Sequence, residues 1–189
     1  MSYRGAREAC LETSRLYMRP TTNADGDGLY HVHRDVAVSL LLANVDQMSR
    51  SCSDHLLQGY VQHWRSFGCG FYLVFDRKEA ASPPIGRCGL RITPDKEAEL
   101  GYCFLAAATG RGVATEAAAA VVDRAFQTMS INQIVAFVRP ENHQSMRVLT
   151  KLGFQDLGFV EQGRAHNRFI LNRSVRHGLN QRSAPVPWS

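Results

Sequence analysis

The run Leu105-Ala106-Ala107-Ala108-Thr109-Gly110-Arg111-Gly112-Val113-Ala114-Thr115-Glu116-Ala117 carries the residues of this chain best suited to hold a charged ligand. It reads as the end of a strand, a turn with two glycines and the start of an alanine-rich helix. Glycine at 110 and 112 lets the backbone turn tightly and lets a ligand approach it with no Cβ in the way. The first helical turn beyond presents unpaired N–H groups and the positive end of the helix dipole, a combination suited to phosphate. The expected anion site is Arg111, Gly112, Ala114 and Thr115. Each charge-assisted hydrogen bond there is worth about 1.5–3 kcal/mol, so several main-chain donors outweigh the one Arg111 side chain.

Two familiar phosphate motifs do not fit these residues. A P-loop needs Lys and then Ser or Thr after its second glycine, where this chain has Val113-Ala114. A dinucleotide fingerprint needs a third glycine, and Thr115 stands in its place. Nucleotide triphosphate hydrolysis and hydride transfer are disfavoured.

The elements that must position the turn follow from periodicity. Leu16 and Met18 point the same way, as in a half-buried strand ended by Pro20. Residues 25–43 read as one or two short helices. Ser53 reads as the N-cap of a helix with its apolar stripe on Leu56, Leu57, Tyr60, Val61, Trp64 and Phe67, closed by Gly68. Strands are expected over 71–75, 85–92 and 98–105, then a helix over 113–129 that buries Ala117, Ala118, Val121, Val122, Ala125, Phe126 and Met129. The apolar stretch 131–138 reads as a strand covered on both faces. Asn142 can cap a short helix that turns Met146, Leu149 and Leu152 inward and stops at Gly153. The last strands are expected over 154–160 and 168–171. A strand, a helix and a second buried strand form a βαβ unit, whose ligands bind beyond the carboxyl ends of its strands.

Composition narrows the class. The 189 residues, 44% of them hydrophobic, suffice for one domain with a real core. No apolar run reaches the roughly 18 residues of a membrane span, and residues 1–12 carry charges where a signal peptide needs an apolar middle. A cytoplasmic protein with no membrane partner is expected. The five cysteines are scattered and never form a CxxC pair, so free thiols and no metal site are expected. Of the net charge of +5, much comes from Arg164, Arg168, Arg173, Arg176 and Arg182, which no acidic residue follows. Spaced single arginines without an RNA-binding signature read as a solvated segment, so a nucleic-acid partner is disfavoured.

Four blocks in order resemble the GNAT superfamily of N-acetyltransferases, in the branch of the ribosomal-protein N-terminal acetyltransferases. They are Glu12-Thr13-Ser14-Arg15-Leu16-Tyr17-Met18-Arg19-Pro20; Ile85-Gly86-Arg87-Cys88-Gly89-Leu90; Ala98-Glu99-Leu100-Gly101-Tyr102 leading into the glycine turn; and Pro140-Glu141-Asn142-His143-Gln144-Ser145 with Lys151-Leu152-Gly153-Phe154. The likeness covers most of the chain, to about Leu171. It implies an α/β single-domain GNAT-like fold: a mixed, mostly antiparallel, splayed sheet with a central parallel βαβ unit flanked by helices. Residues 12–172 would form the N-acetyltransferase domain, 1–11 an N-terminal extension and 173–189 a basic C-terminal tail.

The resemblance also implies acetyl-coenzyme A as donor, with no metal. Its pyrophosphate would sit on Gly110, Arg111, Gly112, Val113, Ala114 and Thr115. Its pantetheine arm would lie along Tyr102, Cys103, Phe104 and Leu105 like an added strand, with Asn142 and Ser145 near it. Asn142 can serve as helix cap and ligand contact at once. Glu99 is the expected general base, because members of the family often carry a catalytic carboxylate in this region; its alternative is an ion pair on the strand surface. Many members protonate the departing thiolate with a tyrosine seven residues after the asparagine, where this chain has Leu149. Ser145 is the expected substitute, as a coenzyme contact or a donor. Thr109 replaces a large aromatic of the branch.

The acceptor is expected to be a primary amine, small molecule or protein N-terminus. It would enter between the early helices and residues 161–167, with Tyr30, His33 and Trp64 as candidate lining. An α-amino group, with a pKa of about 7.7–8, asks less of a base than a lysine at about 10.4. A non-catalytic acetyl-coenzyme A sensor and an RNA-associated protein are the alternatives, and homodimerisation stays open.

Overall fold

Alternating apolar residues on some strands and unbroken apolar runs on others decide which parts of the sheet are covered twice. The structure, a computed structural model, describes residues 9–43, 47–79, 82–162 and 164–183. Its elements are β1 (Leu11–Glu12), β2 (Leu16–Pro20), α1 (Gly26–His33), α2 (Val36–Ala43), α3 (Arg50–Phe67), β3 (Phe71–Asp76), β4 (Gly86–Ile92), β5 (Ala98–Phe104), α4 (Val113–Thr128), β6 (Gln133–Val138), α5 (His143–Lys151), β7 (Gln155–Gln162), β8 (Arg164–Asn172) and α6 (Arg173–Ser183). The strands form one sheet in the order β1-β2-β3-β4-β5-β6-β8-β7. Every neighbouring pair is antiparallel except β5 and β6. This is the mixed sheet with a central parallel βαβ unit that the sequence predicts.

The parallel pair meets at a single register position, Glu99 opposite Val135. Beyond it residues 100–104 and 136–138 are not paired with one another, so the sheet splays open towards the C-terminal ends of β5 and β6. On one face Cys88, Leu90, Ala98, Leu100, Ile134 and Phe169 pack against the stripe of α4 that runs from Val113 to Phe126. On the other, Leu73 packs against Leu29, Leu57 and Val61, and Cys103 against Val32 and Val38. Helices α1–α3 therefore cover the face opposite α4. Among the described residues no helix is long and apolar enough to cross a membrane.

Two expectations are corrected. Helix α3 starts earlier than Ser53: Ser49 is its N-cap, accepting from the Cys52 N–H at 3.2 Å. Ser53, one turn in, is buried and bonds His33 Nδ1 at 2.9 Å; a local reading cannot choose between two serines that both precede the stripe. The basic C-terminal segment is not simply solvated. As far as Ser183 it forms α6, and residues 184–189 lie outside the described residues. Arg173 donates to the carbonyls of Met129 and Ile131 at 2.8 and 2.7 Å, also to that of Phe126, and lies over the Phe126 ring. Arg176 pairs with Asp123 at 2.8 Å and Arg168, in β8, with Glu97 at 2.5 Å. Of the expected N-terminal extension, residues 1–8 lie outside the described residues, while Ala9 is in the core.

Arg173 places a cation on the last carbonyls of α4, where the helix dipole is negative. Arg173→Ala is expected to lower unfolding stability by about 2 kcal/mol, measured by urea denaturation. A change within about 0.5 kcal/mol, ordinary for a surface substitution, would mean that these contacts carry no weight.

Candidate active site

Gly110 and Gly112 have φ of 76° and 77°, in the left-handed region that glycine enters without strain. A Cβ at 110 would meet nothing within 4 Å, and one at 112 only Arg15 Nη2 at 3.5 Å. Backbone conformation, not crowding by the protein, demands glycine here, and the space above the loop is open. Gly112 is the N-cap of α4, and no side chain caps the helix. The donors of its first turn are left for a ligand.

Across the loop runs a brace that local sequence does not reveal. Arg15 donates from Nη1 to the Arg111 carbonyl at 2.7 Å and from Nε to Glu116 Oε2 at 2.6 Å. Glu116 Oε1 also accepts from the Thr13 hydroxyl at 2.5 Å and the Arg15 N–H at 3.0 Å. Burial pushes the Glu116 carboxyl up, and these hydrogen bonds more than offset it, holding the group below its ordinary range. A carboxylate in the first turn of an anion-binding helix would repel the anion; Arg15 neutralises it. The acid was visible at the right place in the sequence, but its partner lies 101 residues away.

A cleft of about 980 Å³ begins at this loop, passes through the opening between β5 and β6, and reaches α3 and β4. It is lined by Glu99, Tyr102, Cys103, Phe104, Gly110, Gly112, Val113, Ala114, Thr115, Asn142 and Ser145. Two expected site residues stand apart from its wall. Leu105 spends its N–H on the Ile85 carbonyl at 3.0 Å, and the Arg111 side chain is exposed away from the cleft. Cys103 is buried against Val32 and Val38.

The remaining candidates sit in defined pairs. Asn142 caps α5, its Oδ1 accepting from the Ser145 N–H at 3.0 Å. Ser145 Oγ lies 2.8 Å from the Tyr102 hydroxyl. Burial pushes the Tyr102 phenol up from its ordinary value, although Ser145 pulls the other way, so it stays protonated at neutral pH. The chain thus holds a tyrosine at Ser145 after all, supplied by β5 and not by α5. Glu99 faces Arg91 directly across β4 and β5 and accepts from its Nη2 at 2.6 Å, the ion-pair alternative, while still lining the cleft. His143 is exposed. Among the described residues no three His, Cys, Asp or Glu side chains cluster as metal ligands would.

The expected acceptor lining is not on the cleft wall. Tyr30 lies under the Arg50 guanidinium. Trp64 is buried and donates to the Phe71 carbonyl at 2.8 Å. His33 is buried in the packing of α1 on α3. The wall on that side is made instead by Cys52, Leu56, Tyr60, Phe71, Arg87 and Arg91. A helical stripe read from sequence shows which residues turn inward but not which of them stop short of the cleft.

The open glycine turn, the single-register parallel pair and the cleft that joins them define an acyl-coenzyme A-type transferase fold. Residues 15–155 match the acetyltransferase (GNAT) domain, and the chain belongs to that family. It is 35% identical over 171 residues to the uncharacterized N-acetyltransferase p20 of Bacillus licheniformis, covering 85% of this chain and 90% of the relative. A putative GNAT-family acetyltransferase from Bordetella pertussis superposes with a TM-score of 0.75 at 24% identity, over 85% of this chain and 98% of its own. RimL, a ribosomal L7/L12 alpha-N-protein acetyltransferase solved in complex with coenzyme A, superposes with a TM-score of 0.74 at 18% identity, over 86% and 97%. At these identities the two superpositions speak to the fold, and they include the ribosomal-protein branch that the sequence blocks resemble.

His33 gives the packing of α1 on α3, beside the cleft wall, a measurable pH signature. Burial, and then the Arg87 charge, push its pKa down to about 3, whereas the unfolded chain protonates it near 6.5. The unfolded state therefore takes up the proton first, so the contribution to stability is complete above about pH 6.5 and declines as pH falls towards 3. Between pH 7 and about pH 5 the loss is on the order of 2 kcal/mol. Urea denaturation at the two pH values is expected to show that slope in the wild type and a flatter one in His33→Gln; equal slopes would mean that His33 is protonated in the folded chain.

Proposed function

We propose that this chain transfers the acetyl group of acetyl-coenzyme A to a primary amine, a small molecule or a protein N-terminus, by direct attack. The observation that carries the reading is one cleft joining the amide-lined turn to Glu99 and to the Tyr102–Ser145 pair through the gap in the sheet. The N–H groups of Gly112–Thr115 would hold the pyrophosphate. Residues 100–104, unpaired on their β6 side, offer main-chain groups to the pantetheine arm, and Asn142 and Ser145 stand opposite.

The chemistry asked of the side chains is modest. Glu99 removes a proton from the ammonium of the acceptor, and Arg91, 2.6 Å from the carboxylate, holds it in place. The amine lone pair attacks the thioester carbonyl, the carbon–sulfur bond breaks with its electron pair leaving on sulfur, and the second proton that nitrogen sheds as the amide forms goes to that thiolate, giving the free thiol of coenzyme A. The Ser145 and Tyr102 hydroxyls would hydrogen-bond the departing thiolate, whose pKa of about 8.5 requires no strong acid. An α-amino acceptor suits an ion-paired base of this kind better than a lysine side chain does.

Calorimetry should show acetyl-coenzyme A binding to the wild type and at least about a hundredfold weaker binding to Gly112→Asp, which blocks the main-chain approach and adds negative charge. Comparable affinities would remove the anion-site assignment. Glu99→Gln is expected to lower turnover of an accepted amine by about 10²–10⁴-fold with the donor affinity intact; undiminished turnover would exclude Glu99 as the base.

A further inference from the structure

Arg87 is out of keeping with its surroundings. It stands in the middle strand β4, only 5% exposed, and among the described residues no carboxylate lies within ion-pair distance of it. Its Nε is buried with no hydrogen-bond partner. Its guanidinium lies over Phe71, 4.3 Å from the ring centroid, and near Tyr60, at 5.1 Å. Arg15, Arg91, Arg168, Arg173 and Arg176 have each found an anion or a carbonyl. A buried charge left without a counter-ion is destabilising, and a Leu or Met there would avoid that penalty. The two rings recover part of that cost and hold the group in place.

Position indicates what the charge is for. Cys88 and Leu90 of β4 face α4, so Arg87 and Arg91 point to the opposite face, where α1–α3 pack. The anion loop at the start of α4 and the Arg87 side chain thus enter the cleft from different sides. Arg91, four residues further along on the same face, is already neutralised by Glu99. The two rings, whose centroids are 4.6 Å apart, lie together on one side of the Arg87 guanidinium, and its N–H edge suits the two oxygens of a carboxylate or phosphate.

We propose that Arg87 recognises the acceptor, and that the amine acetylated in this cleft carries an oxyanion which the Arg87 guanidinium binds. The proposal rests on the acetyl-transfer reading for the word acceptor, but the oxyanion site itself does not require turnover. Four residues separate Arg87 from Arg91, the partner of Glu99, which is about 13 Å along a strand. The oxyanion therefore belongs several bonds from the amine. A cationic polyamine is excluded as the preferred acceptor, since it would bring like charge to a buried cation.

The test is calorimetry on the chain loaded with coenzyme A. The probes are glycine-led dipeptides and ω-amino acids of increasing length, each with its carboxamide, and aminoalkyl phosphates with their alcohols. The wild type is expected to bind at least one oxyanion probe about tenfold or more tighter than its uncharged counterpart, the scale of one charge-assisted hydrogen bond. Whether the carboxylates or the phosphates lead identifies the oxyanion. In Arg87→Met the ratio should fall to about one while the melting temperature is unchanged or higher, as expected when an apolar side chain replaces an unpaired buried charge. Arg87→Lys should keep a reduced preference and serves if the Met variant does not fold. No oxyanion preference in the wild type, or the same ratio in Arg87→Met, overturns the proposal; a fall in melting temperature with the ratio intact would make Arg87 a packing residue. The same probes offered with acetyl-coenzyme A test the transferase reading separately: oxyanion binding with none of them acetylated would count against these amines as acceptors and leave the Arg87 site standing.

Discussion

Everything at this site depends on the brevity of one strand pairing. β5 and β6 are parallel neighbours at Glu99 and Val135 and nowhere further. Had the ladder continued, the main-chain groups of residues 100–104 would be consumed, the cleft would close, and the glycine turn would hold an anion with nowhere to send the rest of the ligand. The splay is maintained from both sides. On the β6 side, β8 pairs along the whole strand, from Gln133 opposite Asn172 to Val138 opposite Asn167. On the β5 side, β4 does the same, from Gly86 opposite Phe104 to Ile92 opposite Ala98. Each strand at the gap is thus held along its length by its other neighbour, although residues 100–104 and 136–138 have no partner across the gap.

The two ends of the cleft are built from different materials. At the α4 end the donors are main-chain N–H groups, and the side chains that matter, Arg15 and Glu116, work behind the loop. Backbone donors are indifferent to side-chain identity provided the glycine conformations are kept. At the α3 end the wall is side chains throughout: Tyr60, Phe71, Arg87 and the Arg91–Glu99 pair. A shared donor can be held by the first kind of surface, whereas discrimination among acceptors needs the second.

What the sequence disclosed follows the same division. The glycine turn, the Asn142 cap and the order of strands were legible because each depends on residues within a turn or two of one another. The parallel βαβ unit followed from element order and the known hand of such crossovers. What stayed hidden is what distant segments bring together. Tyr102 reaches Ser145 across 43 positions, and Arg173 reaches the end of α4 across 44. The position seven residues after Asn142 holds Leu149, whereas the hydroxyl that meets Ser145 belongs to Tyr102 on β5. Arg87 was hidden for another reason: in Ile85-Gly86-Arg87-Cys88-Gly89-Leu90-Arg91 the alternation marks it as lying on the face opposite Cys88 and Leu90, and nothing local says that α3 covers that face.

His33 and Arg87 also show how one burial decision constrains another. Each has a nitrogen with no partner, Nε2 of His33 and Nε of Arg87, and each sits on the α1–α3 side of the sheet. Burial first, and then the charge of Arg87, which cannot give up its proton at any ordinary pH, keep the imidazole neutral, with a pKa of about 3. Its Nδ1 meets the Ser53 hydroxyl and its carbonyl accepts from Ser39 at 2.6 Å, which ties α1 to α2 and α3 without introducing charge. Both partners are neutral hydroxyl groups, so the buried contacts of His33 bring no carboxylate to the α1–α3 side of the sheet.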